Sequence, residues 1–258
     1  MYYRVLSAAV GIPVFMLAVW LGGWAHFIIT AAIMFFSLFE LNKLYKGMGL
    51  NPHFPVMVTG TAALLAGALW GGSETFGLTL IPVVFMLLLT GVFGYPSRTP
   101  ADVAAGLTGT LYIGLFVYFY IIRTLDGGLA WVLILLAGTW ASDTLAYFVG
   151  KKFGKRKLAP GLSPGKTIEG ALGGIAGSIL VAVLVYRLYP LLPLHLAAAA
   201  GLLVGITGTL GDLFESSLKR TAGLKDTGAV IPGHGGVLDR FDSMLFTAPA
   251  LYYFAILW

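Results

Sequence analysis

The 258 residues are 58% hydrophobic and only 10% charged, with a mean hydropathy of +0.89, whereas a soluble domain carries about 25% charged residues. That composition excludes an ordinary soluble domain and defines an integral membrane protein with several spans. The net charge of +5 reads as basic loops on the cytoplasmic face rather than a nucleic-acid surface, and the lack of cysteine excludes disulfides and thiolate metal sites.

Apolar runs predict an all-α polytopic fold of about nine spans, near residues 5–22, 25–45, 55–71, 76–94, 107–123, 129–150, 170–189, 194–212 and 241–257. Residues 5–21 look like a signal peptide, but no A-x-A-like cleavage site or soluble mature domain follows, so they are read as the first span. Pro13, Pro82 and Pro249 fall within spans, where neighbouring helices can satisfy the freed carbonyls. Small residues recur at helical spacing in Gly60, Ala63 and Gly67, and in Gly170, Gly173 or Gly174, and Gly177; these predict close helix packing. No linker, low-complexity tract or internal repeat is seen, so residues 1–258 are taken as one transmembrane domain. Residues 1–130 form its N-terminal helices, and 131–258 its catalytic helices and cytoplasmic loops.

Orientation follows from the basic residues. With the N-terminus in the cytoplasm, 14 of the 16 Lys and Arg fall inside, and only Arg123 and Arg187 fall outside. That is the direction the positive-inside rule demands, and an odd number of spans then puts the C-terminus outside. Segments 151–169 and 213–240 become long, basic cytoplasmic segments containing Gly and Pro, while 46–55 and 95–106 are shorter inner loops expected to be structural.

The chemistry concentrates in Ser216–Asp242, SSLKRTAGLKDTGAVIPGHGGVLDRFD, and just before it. Charges at membrane depth are costly and mark a functional site by default. Asp212, Glu215, Ser216 and Lys219 share one face of a helix by their i, i+3, i+4, i+7 spacing. Asp239 and Asp242 repeat the i, i+3 pattern, and Asp143 with Ser142 and Tyr147 adds a carboxylate near the same membrane face. Such oxygen ligands suit a hard cation such as Mg²⁺, which keeps waters and substrate phosphates in its shell. Lys219, Arg220, Lys225 and Arg240 are embedded among the acids, Asp226 included, in a Gly-rich loop. Cations for phosphate, acids for metal and glycines for close backbone approach make a phosphate-plus-metal site. Gly233, Gly235 and Gly236 around His234 predict turns with φ > 0 at the ligand.

The stretch Gly161–Thr167, GLSPGKT, is close to a P-loop, but Pro160 stands where its first glycine belongs and no strand is expected before it. What remains is a turn holding Ser163, Lys166, Thr167 and Glu169, with Thr167 or Ser163 as a helix cap and Lys166 within reach of a phosphate. The run Lys151, Lys152, Lys155, Arg156 and Lys157 is expected to face anionic lipid head groups.

These residues resemble the signature of the phosphatidate cytidylyltransferase (CDP-diacylglycerol synthase) family. It runs S-x-apolar-K-R, four residues, K-D, then a Gly-containing turn to H-G-G, apolar, x, D-R, apolar, D. Ser216, Leu218, Lys219, Arg220, Lys225, Asp226, Gly228, His234, Gly235, Gly236, Asp239, Arg240 and Asp242 all fall in place. Ser142-Asp143 with Ala146-Tyr147, and Ser163-Pro164-Lys166-Thr167-Glu169-Gly170, resemble the family too, so the likeness is sharp over about 140–245. It implies the reaction CTP + phosphatidate → CDP-diacylglycerol + pyrophosphate with Mg²⁺, and with K⁺ as a possible second ion. It also implies an inner (plasma) membrane location with the active site facing the cytoplasm, a homodimer, and metal carboxylates at Asp212 and Asp239. The catalytic set is then Asp212, Asp239, Lys219, Arg220, Arg240 and Asp143. The substrate contacts are Lys166, Ser163, Thr167, Ser216, Lys225, Asp226, His234, Gly235, Gly236 and Asp242.

The nearest competing reading is a CTP-dependent lipid-alcohol (polyprenol) kinase, which would release CDP. A transporter would need polar residues along a crossing pathway, whereas the charges here gather at one face. A CDP-alcohol phosphotransferase would need D-G-x-x-A-R, which Asp126-Gly127-Gly128-Leu129-Ala130-Trp131 does not provide.

Overall fold

The structure, a computed structural model, describes residues 2–190, 193–228 and 235–258. Among them are nine α-helices and one two-stranded sheet. Seven of the described segments are long and apolar enough to cross a membrane: Gly23–Gly47, Phe54–Gly71, Glu74–Gly94, Pro100–Thr124, Gly128–Phe153, Ile168–Leu188 and Leu194–Thr221. Ala9–Leu21 is apolar but shorter, and the last helix carries Asp239, Arg240 and Asp242 at its start. Trp70, Leu78 and Phe93 expose 82%, 74% and 83% of their surface. Large apolar side chains so exposed suit contact with lipid rather than water. The fold is an all-α polytopic membrane fold with a small hairpin added.

The chain divides into two compact units, Met1–Ile121 with Leu218–Arg240, and Ile122–Ser217 with Phe241–Trp258. In the first, α1 (Tyr2–Leu21) turns into α2 (Gly23–Gly47) through Gly22 and Gly23, with φ of 66° and 50°, values that a side chain would oppose. Next comes α3 (Phe54–Gly94), 41 residues of continuous helical backbone. A straight helix of that length would run about 60 Å, yet a Cβ on Gly60 would lie 3.1 Å from Val83, and Thr59 Oγ1 lies 3.8 Å from Met86 Sδ. The helix therefore reverses between Phe54–Gly71 and Glu74–Gly94, where the sequence places the break between its third and fourth spans. Gly60 and Gly67 are the close-packing positions expected of them; Gly67 would meet Thr79 at 2.8 Å. The next span is α4 (Pro100–Gly114) followed by α5 (Val117–Thr124). Thr99 and Asp102 form a capping box at the start of α4, and Asp102 Oδ1 also accepts the Asn51 N–H at 2.6 Å. That bond ties the segment 46–55 to the segment 95–106.

The second unit is built on backbone-to-backbone packing. It contains α6 (Gly128–Phe153), β1 (Lys157–Ala159), β2 (Ser163–Thr167), α7 (Ile168–Leu188), most of α8 (Leu194–Thr221) and most of α9 (Leu238–Leu257). A Cβ on Gly170, Gly174 or Gly177 of α7 would stand 2.8, 2.8 or 3.0 Å from the carbonyl oxygens of Ala146, Ser142 or Ala141 on α6. Gly201 and Gly205 of α8 meet α7 the same way, 2.5 and 2.8 Å from the Cα atoms of Ile179 and Ile175. Small residues let helices approach where lipid offers no hydrophobic drive to association.

The antiparallel pair β1–β2, with Lys157 opposite Thr167 and Ala159 opposite Ser163, corrects one expectation. A strand does precede the GLSPGKT stretch, and β2 itself carries Ser163–Thr167. The prolines and glycines around these short strands hide them. They form because Glu169 Oε2 accepts the Lys155 and Arg156 N–H groups at 3.0 and 3.2 Å and Ile168 N donates to Arg156 O at 2.9 Å, which pins both ends together. Pro160 still stands where a P-loop needs glycine.

Candidate active site

The candidate side chains fall into two clusters, one in each unit. The cluster of the second unit surrounds a cavity of ≈ 440 Å³ whose lining includes Asp143, Ser163, Lys166, Thr167 and Asp212, five of the positions singled out by sequence, together with Tyr147. Each has a local reason to be there. Asp143 follows Ser142, which packs on Gly174, and lines the cavity from α6. Thr167 ends β2 and is the N-cap of α7, its Oγ1 accepting the Gly170 N–H at 3.1 Å. That cap satisfies one of the orphan donors of the helix start and fixes Lys166 beside it. Asp212 projects from α8 and forms an ion pair with Lys166, the two side chains being 30% and 26% exposed. Ser216 Oγ donates to Asp212 Oδ1 at 3.4 Å, a weak bond, one turn along the same helix. Glu215 and Asp242 are buried; Asp242 Oδ1 accepts the Ser243 N–H at 2.5 Å.

The cluster of the first unit centres on Asp239 at the start of α9. Lys219 Nζ donates to Asp239 Oδ1 at 2.8 Å, with the two side chains only 13% and 11% exposed. Asp239 Oδ2 accepts the Thr227 N–H at 3.0 Å, the Gly236 N–H at 3.1 Å and approaches Thr227 Oγ1 at 2.9 Å. Gly235 has φ of 89°, the left-handed turn expected of this loop. Arg220 Nη1 donates to Leu224 O at 3.3 Å, closing the C-terminal end of α8. Lys225, Asp226 and Arg240 are exposed. His234 lies outside the described residues.

The two clusters share one device, a lysine bound to an aspartate. Such a pair holds the ammonium and the carboxylate in fixed positions. The ammonium is suited to phosphate oxygens and the carboxylate to a metal. Among the described residues no three His, Asp or Glu converge. The donor set fits a hard cation that takes one or two carboxylates and fills its shell with water and phosphate, as Mg²⁺ does, rather than an all-protein cage.

Sequence reasoning missed Glu40. It sits within α2, fully buried, and its carboxylate accepts the Val237 N–H at 3.0 Å and the Leu238 N–H at 2.8 Å. An acid inside an apolar span was itself the signal. Thr227, 3% exposed and touching Asp239, was also passed over.

Apolar helices carrying lysine-paired carboxylates, one pair beside a cavity, fit a membrane-embedded enzyme that handles phosphates. Comparison with known proteins makes this specific. The sequence profile described as the cytidylyltransferase family matches residues 2–258. The phosphatidate cytidylyltransferase of Synechocystis sp. is 35% identical over 287 residues, covering 98% of this chain and 96% of that one. That of Bacillus subtilis is 35% identical, covering 98% and 97%, and that of Thermotoga maritima 34%, covering 96% and 94%. The chain belongs to the cytidylyltransferase family.

Proposed function

We propose that this chain condenses CTP with phosphatidate to give CDP-diacylglycerol and pyrophosphate. The observation that carries the reading is the match, over nearly the whole chain, to relatives named for that reaction. The relatives' names favour cytidylyl transfer over the lipid-alcohol kinase. The chemistry needs little proton transfer. A phosphatidate phosphate is already an anionic nucleophile near neutral pH, and its oxygen must approach the α-phosphorus of CTP in line with the departing pyrophosphate. The obstacle is repulsion between anions, so fixed positive charge and positioning dominate.

Lys166 and Lys219 are the cations best held for this task, each fixed by its aspartate. Arg220 and Arg240 add charge for phosphate oxygens, and Ser163 and Thr167 can donate hydroxyl hydrogens into the cavity they line. Asp143 brings a further carboxylate to that cavity. Lys225, Asp226, His234, Gly235 and Gly236 belong to the segment assigned to the nucleotide. We assign Asp212 and Asp239 as the carboxylates that would hold Mg²⁺, with K⁺ as a second ion. The bound ion would neutralise phosphate charge and orient the leaving group.

The topology we propose is nine spans, N-terminus inside and C-terminus outside, with the site on the cytoplasmic face. The relatives are bacterial, which supports the plasma membrane as the location. A homodimer completes the proposal. The test is purified protein in detergent with labelled CTP, phosphatidate and Mg²⁺, resolved by thin-layer chromatography. CDP-diacylglycerol with pyrophosphate is the expected outcome. CDP release onto a lipid alcohol, or no lipid-linked cytidine, would overturn it.

A further inference from the structure

A buried glutamate in an apolar helix is expensive unless donors surround it. Glu40 is 0% exposed on α2 and is bonded by Thr227, Val237 and Leu238, 187 to 198 residues on. Oε1 accepts the Val237 N–H at 3.0 Å, Oε2 accepts the Leu238 N–H at 2.8 Å, and Thr227 Oγ1 stands 3.2 Å from Oε2. The two amides lie at the entry to α9, where a helix leaves donors unsatisfied and favours negative charge. The carboxylate also fits a cradle with no room for a side chain. A Cβ on Gly228 would come within 2.7 Å of Oε1, and one on Gly236 within 2.6 Å of Oε2.

The same groups touch Asp239. Thr227 Oγ1 is 2.9 Å from Asp239 Oδ2 as well, so its single proton serves one carboxylate or the other, and the Gly236 N–H donates to Asp239 Oδ2. Glu40 thus fixes the turn from which Asp239 starts and the threonine on which Asp239 leans. Asp239 in turn holds Lys219. We propose that Glu40 is a positioning residue for the reaction, setting Asp239 and its Lys219 partner through Thr227 and the first turn of α9. It does not itself meet substrate.

The proposal rests on the cytidylyl transfer proposed above. Gln keeps the size of Glu40 but turns an NH₂ toward backbone donors, while Asp keeps the charge and loses reach. In detergent-purified full-length protein, E40Q is expected to lower kcat about 30-fold or more, because small misplacements of reacting groups cost that much. KM for CTP and phosphatidate should stay within about twofold, as expected when an interaction of the transition state is lost. E40D should recover part of kcat. Amide hydrogen exchange should rise in the 235–240 segment of E40Q and stay as in wild type across α6 and α7. An unchanged kcat, or a lost kcat with unchanged exchange at 235–240, overturns the proposal. If E40Q does not fold, T227V decides, since it removes the shared hydroxyl at nearly constant shape. Folded T227V with wild-type kcat and exchange overturns it, and a reduced kcat with faster exchange at 235–240 upholds it. A wild-type enzyme that makes no CDP-diacylglycerol would instead sink the proposed function.

Discussion

Asp239→Asn removes one charge and one acceptor from a carboxylate that is bonded on both oxygens. Lys219 Nζ sits on Oδ1, and the Thr227 N–H, the Thr227 hydroxyl and the Gly236 N–H meet Oδ2. An asparagine can turn its one oxygen to the lysine or to the loop, not to both. Its NH₂ then faces donors on the other side. At least one hydrogen bond to a charged acceptor is lost, worth about 1.5–3 kcal/mol. Asp239 is only 11% exposed, so solvent screens little of this. That range corresponds to about a 10- to 150-fold loss of correctly ordered site from positioning alone, by the rule of about 1.4 kcal/mol per tenfold. A metal or phosphate role multiplies the loss. The assay is CDP-diacylglycerol formation across a Mg²⁺ titration, with Asp126→Asn as a near-neutral comparison on the predicted outer side. Asp239→Asn within about threefold of wild type at all Mg²⁺ concentrations would refute both the positioning and the metal assignment.

Asp212→Asn should likewise abolish most turnover, and the Asp212→Asn, Asp239→Asn double variant should be little worse than either alone, since residues that act as a unit are not additive; additive losses would separate the two aspartates. Lys219→Ala, Arg220→Ala and Arg240→Ala should each lower kcat and kcat/KM more than Lys152→Ala or Lys155→Ala, and equal effects would reduce the signature cations to surface charge. Thr167→Val removes the α7 cap at 3.1 Å and should cost about 1 kcal/mol, read as a lower unfolding midpoint in detergent; an unchanged midpoint would show that the cap carries no weight. A reporter fused after Trp258 should be active only if it reads the external compartment, and a cytoplasmic reading would remove one helix from the nine-span proposal.

What was legible in the sequence depended on the range over which a signal acts. The reversal of α3 was readable because Gly71-Gly72-Ser73-Glu74 interrupts an apolar run locally. The Thr167 cap and the α7 glycines were readable because caps and seams obey short spacings. Lys219 and Asp239 were marked by their place in one compact signature, although their ion pair is a tertiary fact. The β1–β2 hairpin was missed because β1 has only three residues, β2 and the connection carry Pro and Gly, and the closure depends on Glu169. Glu40 was missed because its partners at 227, 237 and 238 lie beyond any local window.

The seam between α6 and α7 sets a tolerance for everything mounted on it. Where side chains meet, a rotamer change can absorb a misfit of several tenths of an ångström; where a glycine Cα lies against a carbonyl, nothing can turn aside. Asp143 rides on one rail of this seam and Thr167 caps the beginning of the other. The spacing across the cavity is therefore gauged by main chain, and a single methyl group at Gly170 or Gly174, 2.8 Å from a carbonyl, would open the jaws as a whole. Variation that changes the width of the cavity has to come from groups that can swing, such as Tyr147 on the lining. The seam itself can only be kept or broken.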